Sequence, residues 1–157
     1  MNKVIVLAVD AKTHVSAAVE MAGELSRYSG GKVIALHVHE FAVGRWGRMQ
    51  VDCAEGEGEA LVSQIVTSLK DAGVAAEGEI REGQLGHIAR NILAAADEHD
   101  AWAIVIGSGG RSDLPHLPFG SVAHRLLHLA RRPVLIVPPQ PGATEVKHQS
   151  EATAAAG

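Results

Sequence analysis

The chain has a single cysteine, Cys53, among its 157 residues. A lone cysteine forms no internal disulfide, and with no CxxC companion it offers no redox pair, so a disulfide scaffold is excluded and a reducing compartment fits. Its thiol reads as a loop or core group rather than a reactive one. Aromatic residues are only 3% of the chain, so the core has to be built from Val, Leu, Ile and Ala. Trp46 and Trp102 stand isolated and provide no platform on which single-stranded bases would stack. Basic charge is short as well. With 14 Lys and Arg against 18 Asp and Glu the net charge is -4, whereas nucleic-acid binding rests on a phosphate-neutralising surplus of cations. DNA and RNA are therefore not expected partners. No apolar run approaches the ~20 residues that span a bilayer. The apolar run within MNKVIVLAVD is too short for a signal-peptide core and lacks a small-residue cleavage site. The expected location is the cytoplasm, with no membrane partner.

What is present is a chain of ordinary single-domain length, 46% hydrophobic and 20% charged, a balance that supports a core without the bias of disorder. Val4 to Val9 is a continuous aliphatic run of the kind a parallel strand shows when both faces are buried. From Thr13 to Tyr28, Val15, Ala18, Val19, Ala22 and Leu25 recur at helical spacing, and Ser29-Gly30-Gly31 supplies a stop. Val33 to Val38 reads as a second strand. The stretch 41 to 57, broken by Gly44, Gly47 and Gly56, reads as irregular.

Ala60, Leu61, Ile65, Val66 and Leu69 mark a second helix ended by Asp71-Ala72-Gly73, and Val74 to Ile80 a third strand whose Glu77 and Glu79 suggest a solvent-facing edge. Ile88, Ile92, Leu93 and Ala96 stripe a third helix, and Trp102 to Ile106 forms a fourth strand. Gly120 to Leu129 reads as the last helix, and Val134 to Val137 as a fifth strand before Pro138-Pro139. This alternation predicts an α/β fold: one doubly wound, five-stranded parallel sheet in the order 3-2-1-4-5 with helices on both faces. The domain is expected over 1–139, followed by a flexible tail at 140–157.

In such sheets ligands bind beyond the carboxyl ends of the strands. There the chain reads Gly107-Ser108-Gly109-Gly110-Arg111, and after a loop Gly120-Ser121-Val122 opens a helix. Glycines admit close backbone approach, and amides at a helix start carry partial positive charge, which suits a phosphate chain. Ser121 adds a hydroxyl and Arg111 a full charge. The alternative reading is a glycine-rich turn capped by Ser121. Asp10, at the end of the first strand, either meets the ligand or caps the helix that starts near Thr13, and Lys12 either reaches a phosphate or is a solvated loop charge.

No G-x-G-x-x-G follows the first strand and no G-K-[ST] occurs, so neither a dinucleotide fingerprint nor a P-loop is present. Ser108 lacks the G-x-S-x-G context of a hydrolase nucleophile. Of the nine histidines, His37 and His39 share a strand face and His124 and His128 a helix face. With no Cys or carboxylate set evident beside them, solvated or core histidines are favoured over metal ligands.

Gly107 and Gly110, then nine residues, then Gly120-Ser121 resemble the ATP-binding signature of the universal stress protein family. VIGSGGR and FGSVAHRLLHLARRPVLIVP extend the likeness, as do Val6 to Asp10 and Leu36-His37-Val38. Many members of that family follow the first aspartate with Gly-Ser, where this chain has Ala11-Lys12. The resemblance implies that Asp10 lies at the nucleotide, that the backbone at Val38 meets adenine, and that Gly107, Gly110, Gly120 and Ser121 hold ribose and phosphates. Ala8, Ser108, Arg111 and Val122 complete the expected site.

The implied ligand is ATP, with AMP or another adenine nucleotide as the alternative and Mg²⁺ as companion of the polyphosphate. The implied assembly is a homodimer through antiparallel pairing of Val134 to Val137, acting as a stress-response regulator towards an unidentified protein partner. Two readings stay beside it: a nucleotide-free dimeric interaction module, and a slow ATPase or autophosphorylating protein.

Overall fold

The computed structural model describes residues 3–12, 15–109 and 119–140. The aliphatic runs form the middle of a parallel sheet: β1 (Val4–Ala8) pairs with β2 (Lys32–Gly44) on one side and with Ala103–Gly107 on the other. Between β1 and β2 lies α1 (Ser16–Ser29), which ends as Gly30 turns to a φ of 64° and its amide bonds Ser26 O. The segment Gly47–Gln50 is β3, Glu57–Asp71 is α2, Ala75–Gln84 is β4 and Ile88–Glu98 is α3. Ala103–Gly107 is then β5, Ser121–Leu129 α4 and Val134–Val137 β6.

The parallel pairings give the order β4-β2-β1-β5-β6. That is the arrangement expected for five strands, but the sheet has six. The extra strand, β3, runs antiparallel to the far end of β2, with Gly44 opposite Gly47 across a two-residue turn. The two glycines that read as breakers therefore bracket a hairpin, and Gly47 adopts a positive φ, 109°, at the position that follows the central pair of the turn, where glycine is favoured. All four β3 residues are exposed, so no alternating pattern marks the strand in the sequence.

Successive side chains of each strand serve opposite faces. Ile5, Leu7 and Val9 join Val33, Ala35 and Val105 beneath α1 and α2. Val6, Ala8, Leu36, Val38, Ile104 and Ile106 pack under α3 and α4. Among the described residues β4 pairs with β2 alone, which makes it an edge, and Glu77 is exposed there as expected. Glu79 is half-buried instead, held between Arg81 and His99. Among the described residues no helix is long and apolar enough to cross a membrane. The tail expected from residue 140 lies, apart from Gln140, outside the described residues.

What positions the site is unequal strand length. β1 stops at Ala8, level with Leu36, while β2 continues for eight residues past that point to Gly44. β3 pairs with this extension on the β1 side, beyond the place where β1 has ended. A hollow is left between them.

Candidate functional site

The hollow is a cavity of about 250 Å³ beyond the carboxyl ends of β1 and β5. It lies just below the ~300–1,000 Å³ range of small-molecule sites. Its apolar walls are Ala8, Leu36, Val38 and Ile106 from the sheet and Ile88 and Ile92 from α3. Its polar rim is made by Asp10 and Lys12 after β1, Ser108 and Gly109 after β5, and Gly120 to Ala123 at the start of α4. An apolar slot with polar groups at one end suits a flat heteroaromatic ring that carries an anionic tail.

The slot contains a break in the sheet's hydrogen bonding. Leu36 O accepts from Val9 N, and Glu40 O accepts from Val51 N, each at 2.9 Å. Both residues thus turn their backbone polar groups to the β1 side of β2. Val38 stands midway between them and, by the two-residue period of a strand, turns its N–H and C=O the same way. β1 has ended and the β3 pairing begins only at Phe41, so among the described residues no backbone partner meets Val38. A donor and an acceptor stand side by side at the cavity wall, and an unpaired buried backbone group is unfavourable unless something meets it.

At the other end, α4 begins with Gly120 as N-cap, and among the described residues no side chain caps it. Ser121 is therefore not the cap that the alternative reading assigned to it. His124 N bonds Gly120 O in the first helical turn. The amides of Ser121, Val122 and Ala123 precede that bond and, among the described residues, meet no acceptor, as at any uncapped helix start. The Gly120 amide is already engaged, since it donates to Ser108 O at 2.9 Å. Gly120 thus contributes its lack of a side chain rather than a free donor. Gly109 holds a φ of 77°, and a Cβ added to it would lie 3.5 Å from Gly120 Cα, so two bare backbones form the rim.

Asp10 is exposed and borders the cavity. Its Oδ1 accepts from Lys12 N at 3.1 Å. It does not cap α1, whose N-cap is Val15 without a side-chain bond. Of the residues expected at the site, Ala8, Asp10, Val38, Gly107, Ser108, Gly120, Ser121 and Val122 all line the cavity. Gly110 and Arg111 lie outside the described residues. Glu40, Val51, Asp52, Ile88 and Ile92 also line it and were not foreseen. Ile88 and Ile92 read in the sequence as an ordinary helix stripe, and Val51 and Asp52 fall in the stretch that read as irregular.

Beside the cavity, on the α2 face of β2, lies a second polar group. His37, His39 and Asp52 are buried and Cys53 is half-buried. The premise that no cysteine or carboxylate accompanies His37 and His39 does not hold, because the β2–β3 hairpin folds the 51–53 segment back over them. Burial opposes the charged form of Asp52, yet hydrogen bonds from Cys53, His39 and His37 hold its carboxyl well below the usual range. Burial also pushes the Cys53 thiol up, and the Asp52 carboxylate raises it further, to about 11. That agrees with an unreactive thiol. His124 and His128 pack edge to face with ring centroids 4.6 Å apart and gather no further ligand among the described residues.

Residues 1–138 match the profile described as the universal stress protein family. A structure of a universal stress protein from Archaeoglobus fulgidus is 28% identical with a TM-score of 0.68, and the match covers 87% of this chain and 99% of that one. The universal stress protein from Archaeoglobus fulgidus in complex with dAMP is 27% identical with a TM-score of 0.63, covering 86% and 97%. A universal stress protein in complex with cAMP is 25% identical, also with a TM-score of 0.63, covering 86% and 96%. Comparison with curated proteins yields no match.

Proposed function

This chain belongs to the universal stress protein family, and from that premise we propose that its cavity binds an adenine nucleotide whose occupancy is the signal a regulatory partner reads. The observation that carries the proposal is the gap in the sheet at Val38. Adenine carries a donor, its 6-amino group, beside an acceptor, N1, and the Val38 C=O and N–H complement that pair. Guanine carries an acceptor at the 6 position and would set oxygen against oxygen. Ile88, Ile92 and Ile106 flank the base, and the open amides of Ser121, Val122 and Ala123 take the phosphate nearest the ribose. Asp10 and Lys12 stand at the mouth for the ribose hydroxyls and the outer phosphates of ATP, where Mg²⁺ would accompany the polyphosphate. Two similar structures that hold dAMP and cAMP support the adenine class.

Isothermal titration with ATP, AMP and GTP tests the proposal. One saturable site per chain for the adenine nucleotides is expected, with GTP at least about tenfold weaker, the cost of one mismatched hydrogen-bonding edge. Absence of binding by both adenine nucleotides would reject it in favour of a nucleotide-free interaction module.

We extend the proposal to a homodimer through β6. This strand is paired only with β5 among the described residues, and Leu135 in its centre is 36% exposed. An apolar outer edge of this kind is a template for another strand. Light scattering on the intact chain should give a dimer mass that Leu135→Lys converts to a monomer. A monomeric parent at tens of micromolar would overturn the assignment.

A further inference from the structure

We propose that His37, His39, Asp52 and Cys53 bind one zinc ion, in a closed tetrahedral site that pins the segment after β3 to the middle of β2. The proposal does not rest on nucleotide binding, although His37 and Asp52 also border the cavity. Its donor atoms, His37 Nε2, His39 Nδ1, Asp52 Oδ2 and Cys53 Sγ, all lie within 4.8 Å of one another. Asp52 Oδ2 is 3.0 Å from each imidazole nitrogen and 3.1 Å from the sulfur. The sulfur is 3.8 Å from His37 Nε2 and 3.9 Å from His39 Nδ1. Zinc bonds of ~2.0 Å to nitrogen or oxygen and ~2.3 Å to sulfur place tetrahedral donors about 3.2–3.6 Å apart. Five of the six separations lie within a few tenths of an ångström of these values, and the sixth, between His37 Nε2 and His39 Nδ1, is up to 4.8 Å, so the two imidazoles close on the ion by up to about 1.5 Å.

The proton arrangement favours a cation between them. His37 Nδ1 lies 2.9 Å from the Val9 carbonyl oxygen, which only accepts, so Nδ1 carries the proton. A neutral His37 ring then turns the Nε2 lone pair towards Asp52 Oδ2. His39 Nε2 lies 2.9 Å from Glu59 Oε1 and donates to it, which leaves the Nδ1 lone pair facing the same Oδ2. The Gln50 amide nitrogen, 3.1 Å from His39 Nδ1 and 3.2 Å from Cys53 O, donates to both and makes Nδ1 an acceptor again. Without an ion, the hydrogen bonds to Oδ2 place protons between the donors at the expense of buried positive charge, and one divalent ion takes their place with a bond to each donor.

The outer contacts are those a metal site needs. Ligating histidines hold their remote N–H against a backbone carbonyl or a carboxylate, which fixes tautomer and ring orientation; Val9 O and Glu59 serve here. Glu40 N donates to Asp52 Oδ1 at 3.1 Å and leaves Oδ2 for the ion. α2 approaches closely enough that a Cβ on Gly58 would come within 2.4 Å of the His37 ring and 2.7 Å of the His39 ring, so both imidazoles are held in place. Mixed nitrogen, sulfur and carboxylate donors suit zinc and not magnesium or calcium, which take oxygen shells. Ion binding replaces the thiol proton by a zinc–sulfur bond and releases that proton to solvent.

The test uses the intact chain, stripped with chelator and titrated with Zn²⁺ against a competing chromophoric chelator without nucleotide. One zinc per chain is expected, with a higher melting temperature when loaded. Co²⁺ loading should give the intense visible bands of a tetrahedral ion and a near-ultraviolet thiolate-to-cobalt band. Cys53→Ser should abolish the near-ultraviolet band and weaken zinc binding about 100-fold, and Glu59→Gln should weaken it about tenfold. Failure to bind zinc at one per chain overturns the proposal. So does stoichiometric binding that survives Cys53→Ser unchanged, or a cobalt complex of the unmutated chain without the thiolate band, which needs no variant to fold.

Discussion

Gly120→Val is expected to weaken ATP and AMP binding by about 100-fold, or about 2.8 kcal/mol, in a protein that still folds. Gly120 has φ -58° and ψ 158°, a conformation open to any residue. A Cβ there would meet nothing closer than Ser108 O at 3.5 Å, an ordinary contact. Nothing among the described residues requires glycine at this position. A branched side chain at the N-cap of α4 would, however, stand over the amides of Ser121 and Val122 and hold a phosphate away from them. The loss of a favourable N-cap residue costs about 1 kcal/mol, about 2–4 °C in melting temperature for a chain of this size. Titration of folded variant and parent with both nucleotides checks the prediction. Undiminished affinity would remove the start of α4 from the site.

Gly31→Ala should have the opposite profile, a large loss of stability, and the expected fall is about 3 kcal/mol, or ~6–12 °C in melting temperature. A Cβ at Gly31 would lie 1.8 Å from Lys3 O and 2.8 Å from Lys3 C, both backbone atoms that no rotamer change moves aside. The same carbonyl accepts from Lys32 N at 3.0 Å, the bond that opens the pairing of β1 with β2. Gly31 cannot retreat easily either, because its amide donates to Ser26 O at 3.0 Å and Ser26 Oγ donates to its carbonyl at 2.9 Å. Gly30→Ala is the control. Its φ is 64° but nothing lies within 4 Å of the added Cβ, so only the left-handed conformation is penalised, by about 1–2 kcal/mol. Thermal unfolding followed by circular dichroism distinguishes them, and equal melting temperatures would show that β1 and β2 separate there without strain.

The elements legible in the sequence were those whose burial is one-sided or complete. β1 announces itself because both of its faces lie under helices, and α3 because Ile88, Ile92, Leu93 and Ala96 keep helical spacing. β3 was hidden because all four of its residues face solvent, leaving periodicity nothing to report. The reach of β2 beyond Val38 was hidden with it, since the partners that support it are β4 and β3 rather than any local preference. At the site, the glycine loop was marked by residue type, and the ligand role of Asp10 came from family resemblance. The role of Val38 came from family resemblance, because an aliphatic residue in a strand carries no sign that its backbone lacks a partner. His37 and His39 were visibly on one face. Asp52 and Cys53 reach them only through the turn at Gly44 and Gly47, and a gap of 13 to 16 residues has no periodic signature.

The sequence alone therefore determined the alternation of strands and helices, from which a doubly wound parallel sheet follows, and the glycine-rich rim at the helix start, because each is written in local spacing and residue type. Tertiary structure alone decided where β1 stops against β2, and hence that the Val38 backbone faces the cavity. It also brought two histidines, a carboxylate and a thiol onto one point. Both outcomes depend on the relative lengths and register of strands distant in the chain, which packing fixes and local sequence does not.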